Sequence, residues 1–225
     1  MAVTRRTSEE MIQNVRMSLN RPEEDDFFQW PEEYYEHLNK AHRHCYRMVA
    51  QAAPNILITE GNVTSADAGL TYDLGDFHFG DLELYEPPGP PHGARILPAN
   101  PSSGYFGFWI DGTKIRFTNQ TLYSPLYLRW TPETVAKIVP KATHVLPAYC
   151  EDWLEYETAG RMASKTGFAG NPDRFFAMAT AEWEGDPRSP SDMGILGTVK
   201  RIAANEGIQY ASGNESRPWY RGIGG

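Results

Sequence analysis

Cysteine is scarce in this 225-residue chain, which has only Cys45 and Cys150, far apart in sequence. That excludes a disulfide-built scaffold and the usual cysteine zinc frameworks. A chain of this length with 40% hydrophobic residues folds around a core without staples, as one large domain or two small ones. Long apolar runs are missing too: none nears the roughly 20 residues that a membrane span needs. The opening MAVTRRTSEE has no apolar signal-peptide stretch. The expectation is a protein made in a reducing cytoplasm, with no membrane partner. In that setting the Asn-x-Ser/Thr matches at Asn62, Asn119 and Asn214 are chance. Basic charge is also short. The 21 Lys and Arg face 29 Asp and Glu, a net charge of -8, which argues against a general grip on nucleic acid.

The motifs of familiar chemistry are absent as well: no phosphate-binding glycine loop, no nucleophile elbow, no H-E-x-x-H and no paired C-x-x-C. Asp67, Asp73, Asp76 and Asp81 in "DAGLTYDLGDFHFGD" lack the spacing of a calcium loop and lie where strands turn, so turn chemistry explains them. No catalytic residue, cofactor or metal is expected, and the chain does not read as an enzyme. No repeat of about 20 to 50 residues is visible.

What is present begins with a helix start. In Thr7-Ser8-Glu9-Glu10 a threonine is followed three residues later by a glutamate that reaches back, the capping-box pattern. Met11, Ile12, Val15 and Leu19 mark the buried face, and Asn20-Arg21-Pro22 ends the helix. The run Glu23-Glu24-Asp25-Asp26 reads as a solvated loop. A second helix opens at Trp30-Pro31-Glu32-Glu33, with proline where an N–H is unpaired anyway and acids at the positive end. Tyr34, Leu38, Ala41, Cys45, Met48 and Ala52 then form one apolar stripe.

Within this helix, "HLNKAHRHC" crowds His42, His44 and Cys45 as a metal site does. Helix geometry opposes that, because residues two apart point about 200° away from each other, whereas helical ligand pairs are spaced i and i+4. His42, Arg43, His44 and Arg47 read instead as an off-stripe face near the end where cations suit the helix dipole.

From residue 55 to about 130 the period changes to that of strands, at 55–60, 70–74, 77–85, 94–97, 105–117 and 126–130. "FGFWIDGTKIRF" is a hairpin with Asp111-Gly112 as its turn. Counting outward pairs Phe108 with Ile115 and Phe106 with Phe117 on a buried side, and puts Trp109 beside Lys114 on the other. The proline-rich "YEPPGPPHGA" (85–94) reads as an extended, exposed loop. Trp109, Tyr127 and Trp130 suggest a sugar-stacking platform, although strand aromatics more commonly pack against one another.

Helix spacing returns in "LPAYCEDWLEYETAGRMASKTG", with a stripe of Leu146, Tyr149, Trp153, Tyr156, Gly160 and Ala163, and Gly167 as its stop. Small residues at Ala159, Gly160 and Ala163 allow a close neighbour. Asn171-Pro172-Asp173 caps a helix carrying Phe176, Ala179 and Trp183, which breaks at Gly185-Asp186-Pro187. A last helical piece spans 191–205.

This order of parts resembles the tailed-bacteriophage head-to-tail adaptor proteins, also called connector or head-completion proteins. Their pattern "W…YLNxA" at the second helix is met by Trp30, Leu38, Asn39 and Ala41. For their "LPxxYxxxLxxYxAxRA" at the third, comparable positions are held by Leu146, Pro147, Leu154, Ala159 and Arg161, with Tyr149 and Tyr156 each one residue before the pattern's tyrosines. The long β insertion and the interrupted last helix depart from that pattern.

The resemblance implies an α+β fold: an antiparallel helical bundle (1–54 and 141–207) with a long β-rich insertion between the second and third helices (55–140). An extended C-terminal tail would follow (208–225). It implies a structural virion protein of the neck, a ring of about twelve copies bound below the portal protein. Such a ring extends the DNA channel, passes genomic DNA without specific binding, and docks the next tail or nozzle protein. Two other readings remain: a carbohydrate- or receptor-binding virion module using the aromatic sheet, and a hydrolase assembled from scattered residues.

The tail "SGNESRPWYRGIGG" has too little apolar content to fold by itself and is expected to be disordered in the free protein. Arg217, Pro218, Trp219, Tyr220 and Arg221 combine arginine and aromatic anchors of the interface hot-spot type, so they are the expected portal-docking residues.

Overall fold

Thr7 sets the first helix, α1 (Ser8–Ser18), by the expected reciprocal cap: its hydroxyl accepts from Glu10 N, and Glu10 Oε2 accepts from Thr7 N at 2.7 Å. Met11, Ile12, Val15 and Leu19 are all buried. The computed structural model describes residues 5–20, 28–65, 70–100, 102, 105–119, 125–166, 171–186, 189 and 192–212. The acidic run 23–26, the stop at Gly167, Asp67 and Pro187 lie outside them.

In α2 (Glu32–Ala52), Pro31 is the cap itself, one place earlier than the first-turn position expected, and Glu32 and Glu33 occupy the first turn. Tyr34, Leu38, Ala41 and Cys45 are buried as expected. Beyond them the buried line moves to Tyr46, Val49 and Ala50, while Met48 and Ala52 are only partly covered. The cause is a second packing side. The chain that leaves the last strand runs along α2, where Tyr46 Oη donates to Pro132 O at 2.8 Å. His42 lies on that side and is buried, not on a cationic exposed face, and the last turn of α2 carries no basic residue.

A 3-10 turn (Pro54–Leu57) follows, where a strand was expected from residue 55. Proline at its first position suits a helical start, and the strand begins later. Seven strands come next among the described residues: β1 (Thr59–Val63), β2 (Thr71–Asp73), β3 (His78–Tyr85), β4 (Arg95–Ile96), β5 (Phe108–Asp111), β6 (Lys114–Phe117) and β7 (Leu126–Pro132). They form two antiparallel sheets, ordered β1-β7-β3-β4 and β2-β6-β5. Leu84, Ile96, Leu126 and Leu128 of the first sheet share one core with Tyr72, Phe108, Ile115 and Phe117 of the second.

The β5–β6 hairpin has the expected faces in a different register. Phe108 pairs with Phe117, Trp109 with Arg116, Ile110 with Ile115 and Asp111 with Lys114. The two turn residues are therefore Gly112 and Thr113, with Gly112 at φ +64, as a first-position glycine in a primed turn requires. A slip by two residues leaves every side chain on its own face. Phe108, Ile115 and Phe117 are buried all the same, but Phe106, expected on the buried side, precedes the strand and is 48% exposed, stacked on Phe117.

The proline-rich loop is also corrected: it is a folded hairpin connection, not extended chain. Glu86 N donates to Ala94 O, and Gly89 O accepts from His92 N and Gly93 N. Gly89, at φ +90, lies so close on the Tyr127 ring that an added Cβ would come within 2.6 Å of it. No side chain fits there.

The remaining helices are α3 (Glu151–Thr166), α4 (Pro172–Glu184) and α5 (Gly194–Ser212). A 3-10 turn (Ala148–Cys150) leads into α3. The α3 helix is covered on more than its expected stripe, with Leu154, Thr158, Ala159 and Met162 fully buried. Gly160 faces the Phe176 ring, where a Cβ would approach to 2.8 Å, so the small residue is what lets α4 pack closely. Asn171 caps α4 as expected, and Gly185 at φ +79 ends it. The α5 helix runs on through Ser212, past residue 205 where it was expected to end, so 208–212 are helical.

The architecture is mixed α+β, with five helices and two antiparallel sheets among the described residues. The helices share a core of their own, separate from that of the sheets. No helix among the described residues is long and apolar enough to cross a membrane.

Candidate functional site

Arg217, Pro218, Trp219, Tyr220 and Arg221 lie outside the described residues, beyond the end of α5. What the structure does bring together is the seam between α2, the connector 133–147 and α3. Asn39 of "HLNKA" builds it. Its Oδ1 accepts from Ile138 N at 2.7 Å, and its Nδ2 donates to Ile138 O at 3.1 Å and to Tyr35 O at 2.9 Å. One amide side chain thus satisfies both backbone groups of a connector residue, and Ile138 is anchored in the core.

The other residues of the two patterns converge on the helical core. Leu38, Ala41, Leu146, Leu154 and Ala159 have no exposure, and Tyr149 and Tyr156 are partly buried against the same core. Arg161 pairs with Glu157 at 2.6 Å, and Glu157 also lies 3.3 Å from His44 Nδ1. Trp30 meets the Tyr34 ring edge-on at 5.1 Å, with the Arg16 guanidinium 4.3 Å above its own ring.

The N-terminal segment is tied to the same seam by charge. Arg6 bonds Asp152 at 2.6 Å and Glu155 at 2.9 Å, and its backbone N–H donates to Glu151 Oε1 at 3.0 Å. Ser8 Oγ donates to Val139 O, and Ser8 N to Ala142 O, both at 2.9 Å.

Pattern reading missed a buried histidine pair. The rings of His42 and His144 lie 6.3 Å apart, and both residues are almost fully buried. Neither ring nitrogen of His42 has a hydrogen-bond partner among the described residues. His144 Nε2 lies 3.4 Å from Glu151 Oε1, near enough to feel its charge but outside hydrogen-bond geometry. Burial, then the neighbouring His144, pushes the His42 pKa down to about 4. Burial lowers His144 too, against the opposing pull of Glu151. Both rings are therefore neutral at pH 7. No sequence signal links them, because His144 comes from a connector with no periodicity.

Cys45 and Cys150 are buried and unlinked, and Cys45 is pushed well up by its hydrogen bond to the Cys150 thiol and then by burial. A protonated thiol is a poor ligand. His44 points to Glu157 and Trp153, away from His42, and no group of three or more ligand side chains gathers among the described residues. Elemental analysis of protein purified without chelator is expected to find no stoichiometric transition metal. A metal lost on His42→Ala would overturn that expectation.

The three platform aromatics do not share a face. Trp130 follows Leu126 and Leu128 on the inner face of β7, while Tyr127 is on the opposite face, with its hydroxyl on Glu60 at 2.5 Å. Trp109 belongs to the other sheet, on the side away from Phe108. Two of the aspartates serve turns as expected, Asp73 Oδ1 accepting from Gly75 N and Asp76 Oδ1 from Phe77 N, whereas Asp81 lies within β3.

Two of the clefts among the described residues lie between helical elements. The smaller, about 210 Å³, lies between the 3-10 turn before α3, α4 and the start of α5 and is lined by Tyr149, Glu182, Asp192 and Arg201. Burial, then Asp152 and Asp192, raises Glu182. The larger, about 500 Å³, has Ile12, Trp30, Pro31, Tyr35 and Pro140 as its apolar lining and Glu9 and Glu10 as its charged residues. No model of a known protein family matches this sequence, and no curated protein matches it closely enough to stand as a relative.

Proposed function

We propose that this protein is a structural subunit of a tailed-phage neck, a head-to-tail adaptor that binds the portal as a ring. In this reading the helices are the adaptor bundle and the two sheets are an insertion between its second and third helices. The observation that carries the reading is Asn39. The asparagine of the adaptor-like "LNxA" pattern clamps Ile138 of the connector that leads on to Leu146-Pro147, where the second pattern starts. The portal protein, the next tail or nozzle component and other copies of the chain are the partners proposed.

Mass measurement tests this directly. The protein alone and mixed with the portal ring of the phage that encodes it should differ by about twelve bound copies. A portal ring that gains no mass at micromolar protein would end the reading. Deleting residues 216–225 is expected to leave the domain folded and abolish stable attachment to the portal. Burial of Trp219 and Tyr220 gives about 8–12 kcal/mol, whereas ordering ten residues costs about 10–20. One tail alone holds weakly, and a ring of tails holds by multivalency. Wild-type attachment by the truncated protein would move the interface to the helix faces.

Passing DNA should not be held. About twelve copies of a chain of charge -8 carry about -96 before counterions. The isolated protein is expected to show no nanomolar duplex binding at physiological salt, as read by gel shift. Tight binding would contradict a passive channel.

A further inference from the structure

We infer that the cleft between α1 and the start of α2 is a docking groove for the chain's own C-terminal segment, residues 213–225. The groove holds about 500 Å³, a size that takes side chains of ligand dimensions, since such pockets run about 300–1,000 Å³. Its lining is aromatic and prolyl, from Trp30, Pro31, Tyr35 and Pro140, with Ile12 at its base. Among the described residues its charged lining consists of Glu9 and Glu10, and Glu10 is already engaged with Thr7. The exposed Glu9 carboxylate is left to meet a cation.

The occupant follows from what the chain has left to place. Thirteen residues follow Ser212, and after Glu215 they carry Arg217 and Arg221 and no acid, around Pro218, Trp219 and Tyr220. Aromatic rings and proline stack on an aromatic and prolyl lining, and arginine complements an acidic rim. Trp30 already shows this affinity, with the Arg16 guanidinium on its ring. At full extension thirteen residues reach about 43–47 Å. The groove thus keeps the tail on the protein until the portal competes for it.

The test uses protein lacking residues 213–225 and a fluorescein-labelled synthetic peptide of those residues, read by anisotropy. Saturable binding with a Kd of about 1–100 µM is expected. Glu9→Lys with Gln13→Lys, both exposed rim positions, should weaken it about tenfold without affecting the fold. Trp219→Ala with Tyr220→Ala in the peptide should abolish it. No saturable binding, or binding indifferent to the rim variants, overturns the groove. The portal reading fails separately. A peptide that binds the portal ring but not the truncated protein removes the groove and leaves the portal anchor. A peptide that binds the groove, with portal attachment untouched by tail deletion, keeps the groove and removes the anchor.

Discussion

Replacing Phe108 with alanine is expected to destabilise the protein by about 3–5 kcal/mol, the range for truncating a buried phenylalanine. Phe108 is 2% exposed and packs in the intersheet core with Phe117, its cross-strand partner, at 6.3 Å between ring centroids. The hairpin that carries it has strands of only four residues, too short to stand without that core. Trp109→Ala should cost less than half as much, because Trp109 faces away from the core and is only partly covered. Denaturant unfolding of both variants decides it through the midpoint at constant slope. Equal losses would mean that the outer face of the second sheet is covered as well.

Acidification should destabilise the fold through His42. The ordinary imidazole value is 6.5, and in the folded protein it falls to about 4. Between those values the unfolded chain binds a proton that the folded chain refuses, so stability falls as the pH drops through that window. Each pH unit is about 1.36 kcal/mol, and the loss from His42 is about 3 kcal/mol by pH 4. Above 6.5 the contribution is fully present. His144 acts in the same direction.

Glu155 and Glu182, both raised mainly by burial, oppose this loss because they take up protons earlier when folded. Stability measured from pH 7.5 to 4 for wild type and His42→Leu separates the terms, since both chains share every carboxylate. Between pH 7.5 and 4 the wild type should lose about 3 kcal/mol more stability than His42→Leu. Parallel curves would show that the ring takes its proton without cost.

Some of this molecule was legible residue by residue. The Thr7–Glu10 cap, the Asn171 cap, the α1 face and the Gly160 contact are local or helical-period signals, and each stands where the sequence puts it. The hairpin faces were legible because a period of two survives a slip by two, whereas the register was not, because either residue pair around Gly112 makes an acceptable turn. The apolar residues of the two patterns, Leu38, Ala41, Leu146, Leu154 and Ala159, lie in one helical core, and Asn39 ties α2 to Ile138 of the connector.

The sequence by itself thus determined the order of helical and strand segments, the caps of α1 and α4 and the buried face of α1, and it lacks the common catalytic and metal motifs. Only the tertiary structure decided what lies against those faces. It turned α2 into a helix packed on two sides, which buries His42 against His144. It folded the proline-rich segment over Tyr127, and it separated Trp109, Tyr127 and Trp130 onto different surfaces. It also placed Trp30, Pro31, Tyr35 and Pro140 around one cleft. Periodicity encodes a side chain's direction from its own backbone. Which other element meets it depends on long-range packing, and no local spacing records that.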